Sequence, residues 1–403
     1  MGLTSHKLLA LTALFTVATV LGTLWVWPKL AVRSWPAMFL RLGTIVLTQL
    51  ALVATLGLAV NDYFVFYSSW SDLLGHDRGA AVIQGAGATP SATGTSGAGA
   101  SGTGTSGAGT TGTGPARSPA GIPVLGTADI TGAPAGSRDP AQIGRLDKVR
   151  IPGGTTGLST DGYVYLPPQY FQPGGEHRQF PALLVMTGFP GDAANLVTKL
   201  RYPAYELDLL RKGAMRPAVL VLMRPSPSMP RDSECEDVPN GPQAQSYYTT
   251  DVPADLRASY RVLDGTGSLG VIGDSTGGYC ALKLGMVHPQ TFPAVVSLSG
   301  YFKAADDITT GDLFGGSAQR RDEADLTWRL AHLPMPSLSA LLADSKEDGS
   351  TYADSSAFAA AARPPLTVAQ ATVDSGGHNF TTWTRLLPPS LTWLSDHLNA
   401  PSP

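Results

Sequence analysis

Cysteine is nearly absent, with two residues in a chain of 403. Two cysteines cannot staple a disulfide-rich scaffold, and their spacing matches no zinc motif. Charge is scarce as well: 15% of residues are charged, 28 Lys+Arg stand against 31 Asp+Glu, and the formal net charge is -3. That balance gives no electrostatic footing for nucleic acid, which is not expected as a partner. The chain also lacks HExxH, CxxC and P-loop patterns, so neither a metal nor a nucleotide cofactor is expected. Glycine and proline are plentiful, at 46 and 32. Length alone admits two or three domains.

Long apolar runs are confined to the N-terminus. From Leu8 to Trp27 the chain carries no charge, and a second run covers Leu42 to Val60. Each approaches or reaches the roughly 20 residues that a bilayer crossing needs. A cleaved signal peptide fits the first run less well, because its apolar stretch is too long and no A-x-A-like site follows. Two transmembrane helices are expected, at about 8–27 and 42–60, within a membrane anchor over 1–83. Lys29, Arg33 and Arg41 lie between the runs and only Lys7 precedes them. The positive-inside rule therefore places the short connection in the cytoplasm and both termini outside, making a multi-pass membrane protein with an extracytoplasmic C-terminal domain. The aromatic segment Asn61 to Gly75 is expected either to lie in the interface as an amphipathic piece or to pack against the helices.

Residues 84–144 change to Gly, Ala, Thr, Ser and Pro, and TGTSGAG occurs at Thr93 and again at Thr103. Such a composition buries too little apolar surface to offset its conformational entropy. It predicts a flexible linker of about 60 residues with an end-to-end distance of roughly 40–45 Å, letting the C-terminal domain move away from the bilayer. Two GxGxxG matches, from Gly97 and Gly102, lack the strand and helix that a dinucleotide site requires, and read as products of low complexity.

Residues 145–403 have ordinary composition. Short apolar runs read as strands at Gly162–Pro168, Pro181–Gly188, Pro217–Met223, Leu269–Asp274, Ala294–Gly300, Leu338–Asp344 and Leu366–Asp374. Helical patterns alternate with them near Ala204–Lys212, Asp255–Leu263, Gly277–His288, Ser355–Ala362 and Thr382–Leu398. This alternation predicts an α/β domain with a mostly parallel central sheet covered by helices on both faces. Sites in such sheets lie at the carboxyl ends of strands.

Gly273-Asp274-Ser275-Thr276-Gly277 is the one GxSxG in the chain, and it sits between a strand and a helix. A sharp turn there exposes the Ser275 hydroxyl, and small glycines admit the neighbouring backbone. A serine hydroxyl needs a base. Four histidines follow it: His288, His332, His378 and His397. His378 alone falls in a loop just after the last strand, where the base belongs in the chain order Ser, Asp/Glu, His. The acid should follow the Leu338 strand, where Asp344, Glu347 and Asp348 occur. Asp348 is preferred for its distance from the strand, with Glu347 a close competitor. Developing negative charge on the substrate oxygen needs N–H donors. Thr276 supplies one candidate; Phe189, in Gly188-Phe189-Pro190-Gly191, supplies the other, since Pro190 has no N–H. The same Gly-Pro run also fits a simple turn. Outside the cytoplasm Cys235 and Cys280 could be bonded; alternatively Cys280 is a buried small hydrophobe and Cys235 is free.

With VYLPPQY, MTGFPG, SYYTTDVP, GDSTGGYCAL, HPQTFPAVVSLSGYF and SGGHNFTTW in this order, the chain resembles the α/β-hydrolase superfamily. More narrowly it resembles the esterase group that includes esterase D and the bacterial mycolyltransferases. The resemblance covers about Gly162 to Leu398. It implies Ser275 as nucleophile, His378 as base, and Phe189 and Thr276 as oxyanion donors, with the acid at Asp348 or Glu347 as its weakest transfer. It implies an ester or acyl-lipid substrate and either hydrolysis or acyl transfer to a sugar hydroxyl, as on a cell-wall glycan. A non-catalytic module binding cell-wall glycan or host protein is the alternative of another class. The segment Tyr301–Ser337 is a candidate cap. The Ala/Gly/Pro/Arg-rich character suggests an actinobacterial or other high-GC source by analogy.

Overall fold

The computed structural model describes residues 2–76, 79–85, 121–134, 138–349 and 351–402. Most of the expected linker, with its repeats and both GxGxxG matches, lies outside the described residues.

The chain opens with α1 (His6–Val26) and α2 (Trp35–Phe64). Thr16 meets Thr55 and Thr23 meets Thr48, hydroxyl to hydroxyl at 2.9 and 3.1 Å, so the two helices run antiparallel. Leu14, Leu24, Leu50 and Val53 stand exposed around this seam. Both helices are long and apolar enough to cross a membrane. The second begins earlier than its apolar run suggested, because Ser34 caps it by accepting from the Ala37 N–H.

Among the described residues, ten strands form one sheet. In chain order they are β1 (Val82–Gly85), β2 (Val124–Ala128), β3 (Arg145–Pro152), β4 (Ser159–Leu166), β5 (Ala182–Met186), β6 (Val219–Met223), β7 (Leu269–Asp274), β8 (Ala294–Leu298), β9 (Ser339–Ser345) and β10 (Thr367–Val373). Their spatial order is β1-β10-β9-β8-β7-β5-β6-β4-β3-β2. The centre, from β10 to β6, is parallel. The borders are antiparallel, with β1 on β10 at one edge and β4, β3 and β2 at the other.

The central strands read as continuous apolar runs because both faces are buried. Along β5, Leu184 and Met186 enter one core layer while Leu183 and Val185 enter the other. The first layer is closed by helices including Val252–Ser259 and Thr276–Val287, through Leu256, Tyr279 and Leu282. The second is closed by helices Tyr202–Arg211 and Phe380–Asp396, through Tyr202, Leu209, Leu387, Leu391 and Trp393.

Two expectations change here. The folded unit does not begin at 145, since β1 and β2 both come from the stretch assigned to the anchor or linker. Their backbone pairing outweighs a composition that reads as unstructured. The route from α2 to the sheet is also short, running through residues 65–81 with 77–78 outside the described residues. The low-complexity segment follows this route instead of preceding the sheet, so it is not the spacer between helices and domain.

Candidate active site

The β7 strand ends at Asp274 and the helix Thr276–Val287 begins two residues later. Ser275, between them, has φ 54° and ψ -120°, a conformation that ordinary side chains avoid. The surroundings hold it there. A Cβ on Gly273 would come 2.8 Å from the Met186 carbonyl, and one on Gly277 2.8 Å from that of Thr187. Only glycine lets β5 pass this close to the turn. Ser275 also donates its own N–H to the Leu298 carbonyl of β8 at 2.9 Å.

His378 follows β10 and lies 103 residues beyond Ser275, with its Nε2 2.9 Å from the Ser275 Oγ. Its Nδ1 stands 3.1 and 3.2 Å from the two oxygens of Asp348. Asp348 is buried on the turn after β9, where its N–H donates to the Ser345 carbonyl at 3.0 Å. The ring of Trp383 meets the imidazole edge-on, 5.0 Å between centroids. Glu347 is exposed and turns elsewhere: its Oε2 accepts from the Gly376 N–H at 3.2 Å. The two neighbouring carboxylates therefore hold the same loop at different points, and Asp348 is the one at the imidazole. Of the other histidines, His288 meets Gln245, while His332 and His397 stack on Trp328 and Trp393.

The loop after β5 passes against the nucleophile. A Cβ on Gly188 would fall 2.9 Å from that of Ser275. The Gly188 N–H donates to the Asp274 Oδ2 at 2.9 Å, which fixes the loop carrying Phe189 to the nucleophile turn. Thr276 is the first residue of its helix, where N–H groups have no intrahelical acceptor. Burial pushes the Asp274 carboxyl up to about 7, against the lowering effect of the Gly188 N–H. Sequence reasoning assigned Asp274 no part, because any residue can occupy that place in GxSxG.

Cys235 and Cys280 are bonded, with Cα atoms 5.7 Å apart. The bond ties the loop after β6 to the nucleophile helix. Beside it, burial lowers the Lys283 ammonium pKa while its ion pair with Glu236 raises it. Burial also pushes the Glu234 carboxyl up to about 8. Tyr301 donates to Glu234 at 2.6 Å and stacks on Tyr279. The candidate cap packs on this loop, through Arg231 to the carbonyls of Thr310 and Asp312.

The segment after α2 makes a contact that neither expectation included. It is bonded back to the end of α2, through Asn61 and Tyr67, and it also packs against the loop of His378. The His378 N–H donates to the Val65 carbonyl at 3.0 Å, and the Asn379 side chain donates to that of Phe66 at 2.6 Å. Asp72 is buried and accepts from the N–H groups of Ser68 and Gly377 at 2.9 and 2.8 Å.

The sheet order and the Ser275, His378 and Asp348 arrangement place the chain in the α/β-hydrolase class of folds. A family model described as Putative esterase matches residues 154–394, more than half of the chain, and the chain belongs to that family. An uncharacterized protein of Corynebacterium glutamicum is 26% identical over 193 residues, 45% of this chain; the chain spans 44% of that relative's length. Among solved structures, an S-formylglutathione hydrolase from Agrobacterium tumefaciens superposes with a TM-score of 0.53 at 17% identity, over 65% of this chain and 99% of its own. A ferulic acid esterase gives 0.53 at 15% identity, over 63% and 99%. These likenesses carry the fold.

Proposed function

We propose that the chain is a membrane-anchored, extracytoplasmic serine esterase acting through an acyl-enzyme. The observation that carries the reading is the relay from Ser275 to His378 at 2.9 Å and on to Asp348 at 3.1 Å. Ser275 Oγ attacks the ester carbonyl as His378 Nε2 takes its proton. Asp348 fixes the imidazole through Nδ1 and stabilises its charged form. The N–H groups of Thr276 and Phe189 receive the developing oxyanion. His378 then returns the proton to the departing alcohol. In the second half it takes a proton from water, which attacks the acyl carbonyl and releases the acid and Ser275.

Anchoring rests on the two apolar helices and on Lys29, Arg33 and Arg41 at their connection, which favour its cytoplasmic placement. The Cys235–Cys280 bond suits an oxidising compartment. Position supports the reading of the substrate class. Val65, which holds the His378 backbone, lies five residues beyond Val60, where the apolar run ends. With α2 helical to Phe64, that is about 8 Å of rise. The ester is accordingly an acyl lipid drawn from the bilayer.

The test is p-nitrophenyl ester turnover by the full chain in nanodiscs. Ser275→Ala and His378→Ala are each expected to lose roughly 10³-fold or more in kcat, and a fluorophosphonate probe is expected to label wild type at Ser275. Undiminished turnover in either variant removes the mechanism. Absence of both turnover and labelling in folded wild type favours a binding module instead. Long-chain esters embedded in vesicles are expected to be cleaved in preference to soluble short ones.

A further inference from the structure

We infer that the segment immediately after α2 is part of the active site, and that Asp72 is a positioning residue for His378. The inference rests on the reading of His378 as the base. The loop Ser375–Asn379 carries the imidazole, and three of its groups are held by residues 65–72. The Val65 carbonyl takes the His378 N–H, the Phe66 carbonyl takes the Asn379 side-chain amide, and the Asp72 carboxylate takes the Gly377 N–H. Both Asp72 oxygens also lie 3.1–3.2 Å from the Asn379 Nδ2.

The segment is itself stiffened for this task. Asn61, in the last turn of α2, is bonded twice to Tyr67, by Nδ2 to its carbonyl at 3.0 Å and by Oδ1 from its N–H at 2.9 Å. Val65 turns the chain in the left-handed region, with φ 50°. Ser69 caps the short helix Trp70–Leu73, accepting from the Asp72 N–H at 3.1 Å. The fit against the loop is close: a Cβ on Gly377 would fall 2.6 Å from the Phe66 carbonyl. A buried carboxylate that accepts from the Ser68 N–H of its own segment and from the Gly377 N–H, 305 positions from Asp72, fixes the distance between the two segments. Misplacing a catalytic group by about 1 Å can cost 10²-fold, so the brace has leverage on the rate.

The test uses the full chain in nanodiscs, with p-nitrophenyl butyrate as substrate and fluorophosphonate titration to count competent serines. Asp72→Ala is expected to lower kcat per titrated serine by roughly 10- to 100-fold, with KM within about twofold of wild type. Asp72→Asn retains one acceptor oxygen and is expected to recover part of that loss. If Asp72→Ala does not fold, Asp72→Asn alone is judged, by a reduced kcat at unchanged KM. The inference is overturned if kcat per titrated serine stays at the wild-type value, or if the loss is wholly a loss of titratable serines. Failure of the underlying reading is distinct: it appears as retained turnover in His378→Ala, whatever Asp72 does.

Discussion

Glu347 and Asp348 are adjacent carboxylates on one turn, and one residue of offset separates their work. Asp348 is buried at the imidazole, whereas Glu347 is exposed and reaches only the Gly376 backbone. Asp348→Ala is expected to lower kcat by roughly 10²–10⁴-fold, the range for losing the group that fixes the base's tautomer. Glu347→Ala is expected to cost less than about tenfold, since it removes a single loop hydrogen bond. Steady-state kinetics on both variants checks this, and equal losses would reassign the acid. At this scale Ser275 and His378 were legible, because a strained turn and a post-strand loop have local signatures. Asp72 was not. Its partners lie at Gly377 and Asn379, and no local pattern announces a contact formed only when the sheet is assembled. Asp274 was hidden for a related reason, its role depending on where the loop after β5 happens to pass.

The helix Tyr202–Arg211 carries a buried acid toward the entry of β6, where Glu206 accepts from the Ala218 N–H at 3.0 Å. Burial pushes this carboxyl up to about 8, with the Ala218 hydrogen bond opposing. Below about pH 4.5 the group is protonated in both folded and unfolded chains. Between there and about 8 the unfolded chain ionises first, so stability falls as pH rises. Each tenfold difference in proton affinity is worth about 1.4 kcal/mol. Glu206→Gln cannot ionise. Its Tm is expected to gain on wild type by roughly 7–14 °C between pH 5 and pH 8, using about 2–4 °C per kcal/mol for a domain of this size. A scanning-calorimetry series over that range checks it, and parallel curves would refute it. Among the strands, β4 to β10 were legible because seven apolar runs stand between turn residues. β3 was not singled out, because charged residues interrupt the apolar ones in RLDKVRIP; Asp147 is buried there and pairs with Arg145 at 2.8 Å. β1 and β2 were masked by the glycine- and alanine-rich composition around them, and short border strands owe their form to the neighbour they pair with.

Taken whole, the molecule is a sheet whose two borders are both supplied from upstream of residue 145. A fragment beginning there would bare β3 on one side and β10 on the other, and open strand edges invite association. The expectation of a spacer between membrane and domain failed for a topological reason that composition cannot express, because it depends on which edge each short strand joins. The ten strands span nine gaps of about 4.8 Å, which places the borders roughly 43 Å apart. β1 ends at Gly85 on one border and β2 begins at Val124 on the other. The body is already closed at both borders by contacts among the described residues. Suppose a protease site is placed within 86–120 and cut in the folded protein. The N-terminal piece would still hold the remainder through β1 on β10 and through the bonds of Val65, Phe66 and Asp72. Both pieces are expected to co-migrate on gel filtration with activity retained, and their separation would refute this. Severing the covalent chain there would turn one polypeptide into two that still behave as a single folded body.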